Sequence, residues 1–372
     1  MAVSPALVSG LRILSELPTA EDVVATMVLS KHWLPLWKSV PKLVFDDDGY
    51  EDIDTGRFSR FVDRCLILHK APIETLHFEL TQSSTVADIG IWIDMAVQRC
   101  VRDLSIDIDC ASSTNPVVLP RSLYAEAVEC FVTLVDSSSL PSFSTLKTLK
   151  LLFVKYPGEE FVKRLLSKCL VLEYWDVEQC PHDNVTIFTV KVPSLKSAYL
   201  CKSPDGYIDE EDGFVIDAPS LELLVVYNNS RGFCTIENDM PNIVKAKVVV
   251  THCPSGILSA ITSVKRLDLC IPYSKDVYPV GSVFHRLVRL TISTSEIEWF
   301  NLLMCVLRDS PSLKALKLEN SAPVGMNRVQ FLNVWYRVLK LLNGLTMKEP
   351  KKWKMFKEGE YLLENHGLQQ ET

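Results

Sequence analysis

The feature that most constrains this chain is an apolar pattern, L-x-x-L-x-L or a close variant, that recurs through its middle. The central apolar residues of the copies fall at positions 149, 175, 198, 224, 246, 267, 290 and 316, so successive copies are 21 to 26 residues apart. Weaker copies include Leu76 with Phe78, and Leu104 with Ile106. Such a period indicates a repeat architecture in which each unit buries its apolar side against its neighbours.

This period lies within the range of leucine-rich repeats, in which each unit contributes one short strand and a return segment. The return segments 161–170 and 301–308 place apolar residues at i, i+1, i+4 and i+5, which predicts helices. A degenerate repeat near 132–135 would fill the long step between Leu104 and Leu149. The sequence therefore predicts an α/β fold, a leucine-rich-repeat solenoid with a curved parallel sheet and outer helices. A plain β-rich solenoid is the alternative.

The segment 19–37, ahead of the repeats, is rich in large apolar residues. Thr19 followed by Asp22 is typical of a helix start, and Pro35 is expected to end the helix near Trp33. One apolar stripe follows the start, and its members are Val23, Val24, Met27 and Val28. Such a stripe needs a partner surface, which could be a binding partner or the open end of the solenoid.

The segments ILSELPT, VVATMVLSKHW, LW and VPKL, within residues 13–43, resemble the second and third helices of a plant F-box. That resemblance implies docking on the Skp-type adaptor of an SCF ubiquitin ligase, with the following domain holding the substrate. Only residues 4–7 stand where the family's first helix opens, and Gly10 interrupts them, so this helix is expected to be incomplete. The adaptor-binding residues implied are Leu14, Leu17, Pro18, Val24, Val28, Leu29 and Trp33.

The repeat body carries a second resemblance. Segments such as VRDLSIDI, FVIDAPSLELL and AITSVKRLDLC resemble the leucine-rich body of plant F-box/FBD/LRR-repeat proteins. The FBD segments of that family are absent from 321–372, where the formal charge is +3 against −10 for the first 320 residues. We interpret this tail as an altered or frameshifted FBD. The predicted domains are an F-box-like segment (1–45), a linker with an entry helix (46–75), the repeats (76–320) and the aberrant tail (321–372).

Charge and cysteine usage narrow the class of protein. A net charge of −7 argues against nucleic acid or an anionic membrane as the main partner. The chain lacks an apolar run of transmembrane length and a secretion signal, and its eleven cysteines include no C-x-x-C pair. We therefore expect reduced cysteines and an intracellular protein, in the cytoplasm, the nucleus or both.

Motifs for catalysis or cofactors are missing from the sequence. It contains no G-x-x-x-x-G-K, G-x-G-x-x-G, G-x-S-x-G or H-E-x-x-H. The acidic run 46–54 lacks calcium-loop spacing and predicts a solvated linker. Cys180 with His182 lacks a second ligand pair, which favours a core cysteine over a zinc site. We predict a protein that is not an enzyme, without catalytic residues, metal or cofactor.

Strand positions that alternate with the buried ones should face the concave side of a solenoid. Their tyrosines suit anchoring, and their charges suit orienting a partner. The predicted target-binding residues are Tyr174, Asp176, Tyr199, Tyr227, Lys247, Arg266, Arg289 and Lys317. The predicted function is the substrate-recognition subunit of an SCF-type E3 ubiquitin ligase, with a Skp-type adaptor, a cullin and an unknown protein substrate as partners. The alternative is an interaction scaffold or decayed gene copy without ligase association.

Overall fold

The computed structural model describes most of the chain. The described residues are 5–31, 33–48, 50, 55–81, 86–108, 143–180, 183–202, 212–228, 232–250, 255–270, 283–294, 299–320 and 360–364. The predicted degenerate repeat near 132–135 and most of the tail lie outside them. The chain divides into unit 1, residues 1–195, and unit 2, residues 196–372.

Unit 1 contains helices and a parallel sheet. Its helices are α1 (Pro5–Ser15), α2 (Ala20–Ala25), α3 (Thr55–Leu68), α4 (Val86–Gln98) and α5 (Glu159–Lys168), with short 3₁₀ turns at Thr26–Val28 and Leu36–Ser39. Its strands are β1 (Lys42–Asp46), β2 (Thr75–Leu80), β3 (Asp103–Ile108), β4 (Thr148–Val154), β5 (Tyr174–Gln179) and β6 (Ile187–Lys191). Strands β1 to β5 pair in parallel in chain order. Sequential parallel pairing is what stacked repeats produce.

Unit 2 shows the same kind of stacking within itself. Its strands are β7 (Ser197–Lys202), β8 (Gly213–Asp217), β9 (Leu223–Asn228), β10 (Phe233–Ile236), β11 (Lys245–Val250), β12 (Arg266–Cys270), β13 (Arg289–Thr294), β14 (Ala315–Asn320) and β15 (Glu360–Glu364), and its helices are α6 (Ser255–Ala260) and α7 (Trp299–Arg308). The parallel order is β7, β9, β11, β12, β13, β14. Strand β15 joins β14 antiparallel, and β8 pairs with β10 separately.

The predicted central residues of the repeats form rows across the strands. Leu149 and Trp175 are Cα partners in unit 1. A second row crosses unit 2 and consists of Ala198, Leu224, Ala246, Leu267, Leu290 and Leu316. Every member of both rows is at most 2% exposed. Burying a leucine contributes about 1.5–3 kcal/mol, so these rows form the main apolar core and confirm the predicted repeat period.

A recurring backbone turn holds the strands in this register. The amide of Leu287 donates to the carbonyl of Phe284 just before β13 (3.2 Å), as the amide of Leu221 does to Ala218 before β9 (3.0 Å). The carbonyl of Lys265 then accepts the amides of Val288 (2.9 Å) and Arg289 (3.0 Å) in the next repeat. A slip of one residue would break these bonds and turn each leucine to the opposite face.

The parallel sheet begins at Lys42, ahead of residue 76, where the sequence placed the first repeat. Strand β1 buries Leu43, Val44 and Phe45. Asp47, which the prediction assigned to a solvated linker, is 1% exposed and accepts the amide of Thr81. This part of the linker prediction is wrong because the buried triplet before the acidic run anchors it in the sheet.

The return segments are of two kinds. Helices α5 and α7 confirm the two predicted outer helices, and α5 buries Phe161, Val162, Leu165 and Leu166. Other repeats return through the short strands β6, β8 and β10, which the sequence analysis did not predict. Phe188 of β6 and Phe214 of β8 are fully buried, so short strands close these repeats as effectively as a helix. None of the helices among the described residues has the length and apolarity needed to cross a membrane.

Candidate functional site: an apolar N-terminal segment and a basic cleft

Helix α2 begins as predicted and ends earlier than predicted. The hydroxyl oxygen of Thr19 accepts the amide of Asp22 (3.2 Å), which caps the first turn. The helix ends at Ala25 and passes into a 3₁₀ turn, well before Trp33. The Thr26 hydroxyl donates to the carbonyl of Val23 (2.7 Å), a local bond that competes with regular helix formation.

Helix α1 runs without a break through Gly10, so the predicted interruption there is wrong. The glycine serves packing, since a Cβ atom at this position would lie 3.0 Å from Cδ1 of Leu36. Because glycine has no Cβ atom, α1 can pack closely against the 3₁₀ turn Leu36–Ser39. The N-terminal segment is therefore helical from Pro5 onward.

The predicted adaptor-binding residues differ in accessibility. Val28 is 88% and Leu29 66% exposed. Pro18 is exposed, and Leu17, Val24 and Trp33 are half-buried. Leu14 is fully buried, so it packs α1 onto the unit and cannot contact a partner in this conformation. The prediction for Leu14 needs this correction because an apolar pattern does not show which side of it faces the core.

The accessible apolar residues extend beyond those predicted. Leu34 is 53% exposed, although it was not among the predicted adaptor-binding residues. Val28, Leu29 and Leu34, here called the N-terminal apolar segment, fall within seven residues of chain. Three large apolar side chains are therefore exposed to water within one short segment of the chain.

A cleft of about 280 Å³ lies on the face of strands β11 to β14 opposite the leucine row. Parallel pairing places three side chains side by side along its first row, because Lys245, Arg266 and Arg289 are Cα partners on successive strands. A second row, two residues further along each strand, consists of Lys247, Asp268, Thr291 and Lys317. These seven residues are here called the basic cleft.

The basic cleft carries an excess of positive charge. Five of its seven side chains are cationic and one is a carboxylate, a formal charge of +4 in a protein with a net charge of −7. Lys245, Arg266 and Arg289 are exposed at one end, whereas Thr291 is only 8% exposed and lies at the bottom. Nζ of Lys247 lies 5.0 Å from the centre of the Tyr227 ring, a cation–π contact that orients the ammonium group. The cleft is therefore suited to an anionic ligand.

The predicted target-binding residues fall into separate groups. Lys247, Arg266, Arg289 and Lys317 all line the basic cleft. Tyr227 lies beside it under Lys247, and Tyr199 is on β7, with Val225 of β9 as Cα partner. Val225 occupies a position expected to face outward, but it is only 6% exposed. Sequence reasoning missed Val249, Cys270 and Ser293, which continue the same alternation and also line the cleft.

Tyr174 and Asp176 form a local cluster of their own in unit 1. The hydroxyl of Tyr174 donates to Oδ2 of Asp176 (3.2 Å), and Nζ of Lys150 lies 5.5 Å from the Tyr174 ring centre. Burial raises the pKa of Asp176, while Lys150 and the tyrosine hydroxyl act in the opposite direction. These contacts hold the tyrosine ring in place on its strand.

Several buried cysteine thiols in the described part of the chain have a raised pKa and low reactivity. Burial raises the pKa of Cys65, Cys169 and Cys234 to about 12, which keeps each thiol protonated and weakly nucleophilic. Cys180 is buried, as predicted for a core cysteine, and its Sγ donates to the carbonyl of Phe153 (2.6 Å). Within the described ranges, no group of three His, Cys, Asp or Glu residues could hold a metal ion.

In each unit, stacked parallel strands, a buried row of repeat residues and alternating return segments define this chain as a leucine-rich-repeat protein. Residues 89–248 match the family model described as "FBD-associated F-box protein At5g56370, LRR repeats". The chain is 55% identical over 324 residues to the putative FBD-associated F-box protein At5g50270 of Arabidopsis thaliana, an alignment covering 83% of this chain and 79% of that protein. The chain belongs to the FBD-associated F-box/LRR-repeat family.

Other Arabidopsis thaliana relatives support the same assignment. The probable FBD-associated F-box protein At1g32375 is 54% identical over 318 residues, with 82% of this chain and 75% of that protein covered. The F-box/FBD/LRR-repeat protein At5g56420 is 42% identical over 318 residues, with 83% and 74% covered. The identity therefore extends well beyond residues 89–248 and confirms the resemblance found in the sequence.

Proposed function

We propose that this chain is the substrate-recognition subunit of an SCF-type E3 ubiquitin ligase. In this role the N-terminal helices bind a Skp-type adaptor, which links the chain to a cullin, and the strand face holds a protein target. The chain presents the target and performs no ligation chemistry itself. Such a complex would work in the cytoplasm, the nucleus or both. Membership of an F-box family supports the proposal.

The exposure of the N-terminal apolar segment carries the adaptor-binding part of the proposal. Val28 is 88% exposed, more than any other large apolar residue in the described part of the chain. Burial of a valine or leucine side chain contributes about 1.5–3 kcal/mol, so covering Val28, Leu29 and Leu34 would stabilise a complex substantially. Leu14 and Val23, on the helices that precede this segment, are buried and pack these helices onto the unit.

The proposed domain boundaries separate the segment that would bind the adaptor from the repeats that would bind the target. We assign residues 1–45 to the F-box-like segment, 46–75 to the linker and entry helix, 76–320 to the repeats and 321–372 to an altered tail in place of the FBD. Strand β1 joins the F-box-like segment to the sheet, because its residues pair with β2. The N-terminal segment that would bind the adaptor is thus followed directly by the first strand of the unit 1 sheet.

Co-purification with a Skp-type adaptor tests the proposal. The double variant Val28→Asp/Leu29→Asp should lose the adaptor, because two carboxylates would be buried against an apolar partner surface. Leu170→Asp is the control for placing a carboxylate at an exposed apolar position, since Leu170 is 68% exposed and follows helix α5, outside the N-terminal segment. All three substituted side chains are exposed, so each variant should fold as the unmodified chain does.

The expected result is capture of the adaptor by the unmodified chain and by Leu170→Asp, and loss of capture by the double variant. Undiminished capture by the double variant would show that the adaptor binds elsewhere. A complete lack of capture by the unmodified chain would favour the alternative, an interaction scaffold without ligase association. Circular dichroism of each variant confirms that the fold is retained.

A further inference from the structure

The first row of the basic cleft places like charges next to one another. Lys245, Arg266 and Arg289 are paired in register on strands about 4.8 Å apart. Like charges directly opposite each other on paired strands destabilise a sheet. Among the residues that the structure describes, none of these three side chains has an ion-pair or hydrogen-bond partner. A cost to folding, with no counter-charge in contact with this row among the described residues, points to a counter-charge supplied by a ligand.

The second row of the cleft indicates the length and the polar groups of a ligand that would fit. Lys247 and Lys317 lie at its two ends, and Asp268 and Thr291 lie between them. The four strands cover about 14 Å across the cleft, which an extended peptide of about four residues would span. Asp268 offers an acceptor for a peptide N–H group, whereas a DNA phosphodiester backbone has no donor to pair with it and would be repelled.

We infer that the basic cleft binds an acidic peptide segment, one that carries three or more negative charges within about four residues. The negative groups are carboxylates or phosphates, which share the ability to accept two hydrogen bonds from one guanidinium group. Arg266 and Arg289 make the charge-assisted contacts, and Asp268 and Thr291 hold the peptide backbone. Identifying this peptide as part of the protein target rests on the proposed function. Binding of the peptide can be measured whether or not the chain belongs to a ligase.

Fluorescence anisotropy with labelled octapeptides tests the inference. One peptide has a central run of four glutamates, one has two phosphoserines, and one has a central run of four lysines. Single-stranded poly-dT of similar charge is the fourth probe. The protein variants are Arg266→Glu/Arg289→Glu and, as matched control, Lys265→Glu/Arg286→Glu, which changes the same total charge at exposed positions outside the cleft.

The unmodified chain and the control should bind an acidic peptide, and Arg266→Glu/Arg289→Glu should bind it at least about tenfold more weakly. Binding should also weaken as salt is raised, because exposed charges are screened. Stronger binding of the glutamate or of the phosphoserine peptide identifies the source of the negative charge, and either result supports the inference.

Several results would overturn the inference. These are no binding of either acidic peptide, equal binding by both variants, or tighter binding of poly-dT than of the peptides. Adaptor capture is measured on the same protein samples. Arg266→Glu/Arg289→Glu should retain it, so failure of peptide binding and failure of the proposed ligase role are observed separately.

Discussion

Replacing Arg266 with threonine should stabilise the protein at low salt. Arg266 has a cation in register on each side, Lys245 on β11 and Arg289 on β13. Two unit charges about 6 Å apart in water repel by about 0.7 kcal/mol. Exposed charge pairs contribute about 0.2–1 kcal/mol in measurements, and the arginine stem loses some packing. We therefore expect a net gain of about 0.5 kcal/mol in the free energy of unfolding.

The long-range effect of the substitution has the opposite sign. The chain has a net charge of −7, so removing a cation increases its overall negative charge. Any gain must therefore come from the local row of cations. Lys265→Thr is the matched control, because Lys265 is exposed next to the row and outside the cleft lining. It removes the same charge and should give no gain.

Urea unfolding followed by circular dichroism, at low salt and at about 1 M salt, measures this effect. At 1 M salt the screening length is about 3 Å, so the gain from Arg266→Thr should disappear. Destabilisation at low salt, or a gain that is the same at both salt concentrations, would show that repulsion within the row does not destabilise the protein. The row of like charges would then give no reason to infer a ligand.

Two further predictions concern the core of unit 1. Trp175 is fully buried with its ring centre 5.3 Å from that of Phe188, so Trp175→Ala should lower the free energy of unfolding by about 3–5 kcal/mol in urea. Burial lowers the pKa of His69, whose ring nitrogens face the carbonyls of Val40 and Ala71. The unfolded chain then binds the extra proton, so stability should fall as pH drops below about 6.5, and His69→Gln should reduce that dependence.

The repeat stack could be predicted from the sequence because its signal is repeated many times. Each copy of the pattern contributes a residue such as Leu267 or Leu290 to the same buried row, and a strand out of register would expose it. The short return strands could not be predicted in this way. The five residues of β6, Ile187–Lys191, are too few for periodicity to separate a strand from a loop or helix.

The candidate site was predictable as a list of side chains and in part as an arrangement. Alternation along the strands identified Arg266 and Arg289 as outward-facing, and each directly precedes a central residue of its repeat, so the pattern also places the two side by side, as the register has them. The pattern does not reveal that Thr291 is buried at the bottom of the cleft, because burial depends on how neighbouring side chains pack. The sequence also does not show which apolar residues near the N-terminus are exposed. Leu14 and Val28 belong to the same apolar pattern, yet Leu14 is 0% and Val28 88% exposed.

Amide hydrogen exchange of the full chain, with and without a Skp-type adaptor, measures which surface the adaptor covers. We predict that the adaptor protects amides within residues 20–37, around the N-terminal apolar segment, and leaves those of β11 to β14 unchanged. A complex that protects the strand amides and leaves residues 20–37 unaffected would contradict it, as would the absence of any complex.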